Sequence, residues 1–151
     1  MIREQIKTKL VEAMKAKDEK TTGTLRLINA AIKDKDIEAR PKGITDGIDD
    51  NAILSLLQSM IKQRRESIDM YTKGGRDDLV AGEQAEIDVI QMFLPKQMSE
   101  EEVKSAIQQI VTETGASSIK DMGKVMGVLK SKYAGQLDMG KASALIKSIL
   151  G

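Results

Sequence analysis

Two short patterns in the sequence have the spacing of residues that carry chemistry in other proteins. Ser117 and Lys120 are spaced as in the serine–lysine pair of serine acylases, where the hydroxyl is the nucleophile. Residues 135–142 have the glycines and the lysine of a phosphate-binding loop, but Ala142 occupies the position of the hydroxyl that holds Mg²⁺. Too few residues follow Ala142 to build the sheet of a nucleotide-binding fold. We therefore interpret Ser117 as a helix cap, and retain only a helix N-terminus beside Lys141 that can receive a phosphate oxygen.

The side chains that most enzymes use for acid–base or nucleophilic chemistry are missing. The sequence has no histidine and no cysteine, which excludes an imidazole base, a thiolate nucleophile and a zinc site built from these residues. The Glu-x-x-His motif of di-iron bundles is excluded for the same reason. Carboxylates remain, among them Glu83, whose helical phase predicts a structural role with a buried or paired headgroup. The residues therefore predict no catalytic group, no metal site and no cofactor.

Basic residues are concentrated towards the end of the chain, although the whole chain has a net charge of only +1. After Gly115, six lysines stand against Asp121 and Asp138 alone, a local net charge of +4. A surface of this kind can hold an RNA backbone, whereas the alternative is a solvated face that keeps a small bundle soluble. The overall charge gives no reason to expect DNA as a partner. The candidate RNA-binding residues are Lys120, Lys124, Lys130, Lys132 and Lys141.

The elements that position these lysines are predicted to be helices. Aromatic residues, which sheets favour, make up 2 % of the chain, and helix-forming alanine, leucine, lysine, glutamate and methionine are abundant. Because apolar residues recur at helical spacing, we predict an all-α fold. The predicted helix starts, from the second helix onward, lie at Thr21 or Thr22, Asp49 or Asp50, Asp77 and Asp78, Ser99 with Glu102, Ser117 or Ser118, and Asp138.

Pro95 is predicted to mark a boundary between two units. Residues 1–97 form an N-terminal four-helix unit in this prediction. Residues 98–151 form a small three-helix bundle, which is near the lower size limit for an independent core.

Two further spacings predict contacts of helices. Gly123 and Gly127 are spaced so that a neighbouring helix can approach closely. Lys62, Arg64 and Arg65 form a basic stretch of the third helix, which is predicted to pair locally with Glu66 and Asp69, within about one turn.

The composition predicts a cytoplasmic protein with no membrane partner. The first ten residues carry charged side chains and no apolar run, unlike a signal peptide. No stretch approaches the ~20 apolar residues of a membrane span. A chain without cysteine suits a reducing compartment.

Four segments of the sequence form an ordered pattern. They read MIKQRRES at 60–67, GRDDL at 75–79, LPKQMSEE at 94–101 and DMGKVMG at 121–127. In this order and spacing they resemble the GatB/YqeY family over almost the whole chain, and in particular its short, free-standing YqeY members.

This resemblance implies a function. The longer relative is the B subunit of the glutamine-dependent amidotransferase, which converts misacylated Glu-tRNA or Asp-tRNA to the correct amide and carries this helical region as its C-terminal tail. The resemblance implies a tRNA-binding accessory module whose partners are tRNA and an aminoacyl-tRNA amidotransferase or synthetase. Family members usually have a basic residue at the position of Gln136 and often a glycine at that of Met139, so this chain lacks one cation there.

Two alternatives stay open at the level of the sequence. The first is a helical protein-interaction module that docks on an aminoacylation or amidotransferase complex through its apolar helix faces. The second is a carbon–nitrogen ligase with glutamine as amido-N-donor, which is what a family-level label implies, although such a label describes the whole complex.

Overall fold

The computed structural model describes residues 2–151, and all of the regular structure in this range is helical. Within it, seven α-helices follow one another, with a 3₁₀ turn after the second and another before the sixth. The all-α fold predicted from the sequence is therefore confirmed. The helices are α1 (Ile2–Lys15), α2 (Glu19–Ala39), α3 (Asp50–Lys73), α4 (Asp77–Gln91), α5 (Glu100–Thr114), α6 (Met122–Lys132) and α7 (Met139–Leu150).

Several helices begin at the side chain that the sequence predicts, because a short polar residue can accept a free N–H group of the first turn. The carboxylate of Asp49 accepts the N–H three residues later at 2.8 Å, and that of Asp138 accepts the N–H two residues later at 2.8 Å. Ser99 and Glu102 form the predicted reciprocal capping box, with bonds of 3.1 and 3.2 Å. These starts are confirmed.

The start of α2 differs from the prediction. Asp18 is the cap, and its carboxylate accepts both the N–H of Thr21 at 3.1 Å and the Thr21 hydroxyl at 2.7 Å. The hydroxyl of Thr22 instead donates to the Asp18 carbonyl at 2.7 Å. The threonine cap is therefore wrong, because a carboxylate is the stronger acceptor for a backbone N–H. Lys17, with a φ of 57°, makes the left-handed turn that precedes Asp18.

Two compact units can be distinguished, Met1–Leu94 with α1–α4 and Pro95–Gly151 with α5–α7. Gln97, which the sequence-based division assigns to the first unit, donates through Nε2 to the carbonyl of Gly135 at 2.7 Å. The next N–H along the chain donates to the Gln136 carbonyl at 2.8 Å. These two bonds attach the beginning of the second unit to its own loop between α6 and α7.

The first unit is built around aliphatic side chains from all four of its helices. The most extensive packing is between α3 and α4, which a short turn joins. The largest fully buried side chains of this core are Ile6, Leu25, Ile28, Ile53, Leu57, Ile87 and Ile90.

An ion pair crosses from α3 to α4 within this packed surface. Arg64 follows Met60 by four residues on the buried face of α3, and its side chain is only 14 % exposed. Its Nε donates to Oε2 of Glu86 at 2.7 Å, and its Nη1 donates to the Met60 carbonyl at 3.1 Å. The predicted local pairing with Glu66 or Asp69 is wrong, because those two side chains lie on the exposed part of α3.

The loop between α2 and α3 is held by a second ion pair. Arg3 donates through both terminal nitrogens to the carboxylate of Asp36, at 2.9 and 2.6 Å, and also to the Ile48 carbonyl at 3.0 Å. The same carboxylate accepts the Ile48 N–H at 2.8 Å. Gly47 has a φ of 94°, and a Cβ there would lie 2.7 Å from Nη2 of Arg3. The loop therefore depends on a residue without a side chain at this position.

The second unit has its own core, to which α5, α6 and α7 all contribute. α5 is followed by Gly115, whose φ of 69° gives a left-handed cap. The buried residues are Val103, Ala106, Ile107, Ile110, Val125, Leu129, Leu137, Ala142 and Ile146.

We expect Glu86→Gln to lower the free energy of unfolding by about 1–3 kcal/mol, because it leaves the largely buried guanidinium of Arg64 without its charged partner. Urea denaturation followed by circular dichroism measures this loss. The matched control is Glu38→Gln, which removes the exposed pair between Lys35 and Glu38 and should cost less than about 1 kcal/mol. Equal effects of the two variants would contradict the role assigned to Arg64.

We expect the stabilising effect of Asp36 to depend on pH. The Arg3 guanidinium holds the pKa of this carboxyl below its usual range. Because the folded pKa lies below the unfolded one, the contribution is complete above the unfolded pKa of about 4 and is lost as the pH falls through the folded pKa. The free energies of unfolding of the wild type and Asp36→Asn, obtained by urea denaturation, should therefore differ at pH 6 by about 1 kcal/mol and converge in acid. Asp34→Asn, at an exposed position of the same helix, should show no such convergence.

Candidate nucleic-acid interface

The five candidate lysines lie in one part of the second unit. Lys120 belongs to the 3₁₀ turn that leads into α6, and Lys124, Lys130 and Lys132 lie on α6 itself. Lys141 lies in the first turn of α7, which packs against α6. All five residues are exposed. We call these five residues the lysine surface.

α6 has one buried and one open face. Val125 and Leu129, four residues apart, are fully buried in the core of the second unit. Gly123 and Gly127, also four residues apart, are exposed, and a Cβ built at either would meet no atom within 4 Å. Lys130, three residues after Gly127, extends this open row. The close helix contact predicted from the glycines is wrong for the described chain, because their shared face meets no neighbouring helix.

The ammonium groups of the lysine surface differ in what they contact. Nζ of Lys124 donates to the carbonyl of Thr114 at 3.4 Å, at the C-terminal end of α5, where a cation is favourable. Nζ of Lys132 lies 5.9 Å from the centroid of the Tyr133 ring, a cation–π distance. The other three ammonium groups form no hydrogen bond and no ion pair with any of residues 2–151. They belong to Lys120, Lys130 and Lys141.

The two acidic side chains that follow Gly115 are engaged by the backbone. Asp121 accepts the N–H groups of Ser117 and Ser118, at 3.0 and 3.4 Å, and these bonds hold the pKa of its carboxyl below the usual range. Asp138 accepts the first free N–H groups of α7. Within the described chain neither carboxylate forms an ion pair with a lysine.

Hydrogen bonds at helix starts explain both the serine–lysine spacing at 117 and 120 and the phosphate-loop pattern at 135–142. The N–H groups of Gly140 and Lys141 donate to Asp138 at 2.8 and 3.3 Å, so the start of α7 already holds a carboxylate and is not open to a phosphate oxygen. Ser118, rather than Ser117, is the cap residue of the 3₁₀ turn. Both matches are therefore parts of helix starts.

A cleft of about 460 Å³ lies in the first unit, between α1 and the residues that follow α4. Its lining combines a pair between Lys9 and Glu12, at 3.3 Å, with the apolar side chains of Met92 and Phe93.

Glu83, whose phase predicts a structural role, is half-buried on α4. Residues 2–151 contain no cluster of three or more carboxylates that could hold a metal ion. Among the helices of this range, none is both long and apolar enough to cross a membrane.

Fold and surface together define a class: a small all-α protein of two units, the second of which presents unpaired lysines on an outer helix face. The chain belongs to the YqeY family. The family model, described as Yqey-like protein, matches residues 3–150. The resemblance drawn from the ordered motifs is confirmed at this level.

Three curated relatives carry the name altered inheritance of mitochondria protein 41, mitochondrial. That of Eremothecium gossypii is 42 % identical over 89 residues, which cover 59 % of this chain and 46 % of the relative. That of Lachancea thermotolerans is 34 % identical over 115 residues, 75 % of this chain and 59 % of the relative. That of Saccharomyces cerevisiae is 30 % identical over 133 residues, 84 % of this chain and 69 % of the relative. The chain thus spans about half the length of the first two relatives.

These comparisons contradict the predicted cytoplasmic location, since relatives at 30–42 % identity are named as mitochondrial proteins. The cytoplasmic prediction relied in part on the lack of cysteine. A chain without thiols is insensitive to the redox state of its surroundings, so the lack of cysteine does not discriminate between compartments.

We expect Gly127→Ala to stabilise the protein by about 0.5–1 kcal/mol, because open space surrounds this position and alanine is the better helix former. Thermal or urea unfolding measures the gain. Gly115→Ala is the control: its φ of 69° disfavours any side chain, so it should destabilise the protein by about 1 kcal/mol. A loss of stability in Gly127→Ala would show that this face packs against another surface.

Proposed function

We propose that this chain is a non-catalytic RNA-binding accessory module and that tRNA is its ligand. The observation that carries the proposal is the set of unpaired ammonium groups of Lys120, Lys130 and Lys141, on α6 and directly beside it. Binding of phosphates to such groups releases the counterions condensed on the nucleic acid, which supplies much of the affinity of protein–nucleic acid complexes.

The distribution of carboxylates supports this proposal. Asp121 and Asp138, the two acidic residues that follow Gly115, are engaged by backbone N–H groups at helix starts. A phosphate that approaches this side of the unit therefore meets Lys120, Lys130 and Lys141, none of which forms an ion pair within residues 2–151. Lysine, as a compact and mobile point charge, can adapt to a phosphate without a fixed bidentate geometry.

The accessory role is supported by the family. The sequence resembles the tail of an amidotransferase B subunit, a region that accompanies the catalytic parts of that enzyme. In this proposal the protein partner is an enzyme that aminoacylates or amidates tRNA, and the chemistry takes place on that partner. Gln136, where family members usually have a cation, has an uncharged side chain, so in this proposal the lysines make the contacts with phosphate.

We expect the pure protein to bind fluorescently labelled bulk tRNA with steep salt dependence. About four phosphate contacts give a slope near −3 for log K against log salt concentration. Fluorescence anisotropy at several salt concentrations measures this slope. A flat salt response, or no binding at about 50 mM salt, would contradict the proposal.

The lysines are tested with a charge-matched pair of variants. Lys120→Gln with Lys130→Gln removes two unpaired cations, and the slope should become shallower by about 1.5 to 2. Lys104→Gln with Lys147→Gln changes the net charge equally at exposed positions of α5 and α7 outside the lysine surface and should leave the slope close to that of the wild type. Lys124 is left unchanged because its bond to Thr114 gives it a structural role as well.

A further inference from the structure

The lysine surface is suited to one structural form of RNA, an inference that rests on the function proposed above. Proteins that read unpaired bases stack them on aromatic rings or on guanidinium planes. All six arginines of the chain precede residue 77, so the second unit has no guanidinium group. Lysine supplies charge but no planar surface for a base.

Tyr133 is the single aromatic residue of the second unit, and it is not an open stacking platform. Its side chain is half-buried and packs against the core of this unit. The ammonium of Lys132 lies over its ring, 5.9 Å from the centroid. A base that stacked here would have to displace this cation, so the ring offers no ready site for an unpaired nucleotide.

α6 fixes the spacing of the Cα atoms of its lysines. Lys124 and Lys130 are six residues apart, which separates their Cα atoms by about 9 Å along the helix axis. The complete burial of Val125 and Leu129 prevents rotation of the helix about that axis. The lysine side chains can move, but the helix that carries them is held in place, so a ligand whose phosphates are already ordered loses less conformational freedom on binding than a flexible strand does.

We infer that the lysine surface binds double-stranded segments of RNA through their backbone rather than unpaired bases. In A-form RNA the minor groove is wide and shallow, and proteins recognise it by shape, phosphates and 2′-hydroxyl groups. Such recognition needs cations carried on an ordered element and no stacking side chains, which is the chemistry that α6 and its flanks provide.

The experiment uses one labelled strand in two forms. A uridine strand of about 20 nucleotides is titrated with the full chain, alone and then as its duplex with the complementary adenosine strand. We expect the duplex to bind at least about tenfold more tightly at low salt. The corresponding DNA duplex, which lacks the 2′-hydroxyl groups and prefers another groove geometry, should bind more weakly than the RNA duplex.

The outcomes separate this inference from the proposed function. Equal or tighter binding of the single strand, or of the DNA duplex, would overturn the inference while leaving an RNA-binding protein. Failure of all probes and of tRNA to bind would overturn both. A duplex preference that is unchanged in the Lys120→Gln, Lys130→Gln variant would remove the lysine surface from the interaction, whereas its loss there, with retention in the Lys104→Gln, Lys147→Gln control, would support it.

Discussion

Burial of one side of α6 is the constraint on which the second unit depends. This unit is small, so its core consists of few residues, and each of Val125 and Leu129 contributes about 1.5–3 kcal/mol by leaving water. Once that side is buried, the direction of every other side chain on the helix is determined. The cations of α6 face solvent because the apolar residues between them do not, and the caps at Asp121 and Asp138 keep the nearby carboxylates occupied.

The first unit is specified in a different way, with polar bonds added to an apolar core. The pair between Arg64 and Glu86 fixes how α3 lies against α4. Arg3 joins α1 to α2 through Asp36 and to the α2–α3 loop through the Ile48 carbonyl. Half-buried ion pairs add little net stability, because desolvation offsets much of the attraction, but a wrong arrangement would leave a charge unpaired. Both pairs therefore disfavour packings in which these partners are separated.

Local chemistry could be predicted from the sequence, and tertiary partners could not. Ser99, Asp49 and Asp138 cap helices through groups two or three residues away, so the sequence alone determines the bond. Asp18 was missed because it competes with two threonines that are also good caps. The spacing of Gly123 and Gly127 shows that they share a face, but not whether another helix meets it. Arg64 pairs with a residue twenty-two positions later in the chain, and no local spacing indicates such a partner. The assignment of the lysines to RNA stays a prediction.

The open surroundings of Gly127 have a practical consequence. The chain contains no cysteine, so a thiol introduced at this position would be unique and would react selectively with a spin label or a fluorophore. Because a Cβ there meets no atom within 4 Å, the label would extend into solvent without disturbing the buried side of α6. It would lie among the lysines, where contact with a ligand would alter its mobility or emission directly. The feature that distinguishes the outer side of this helix thus also makes it accessible to spectroscopy.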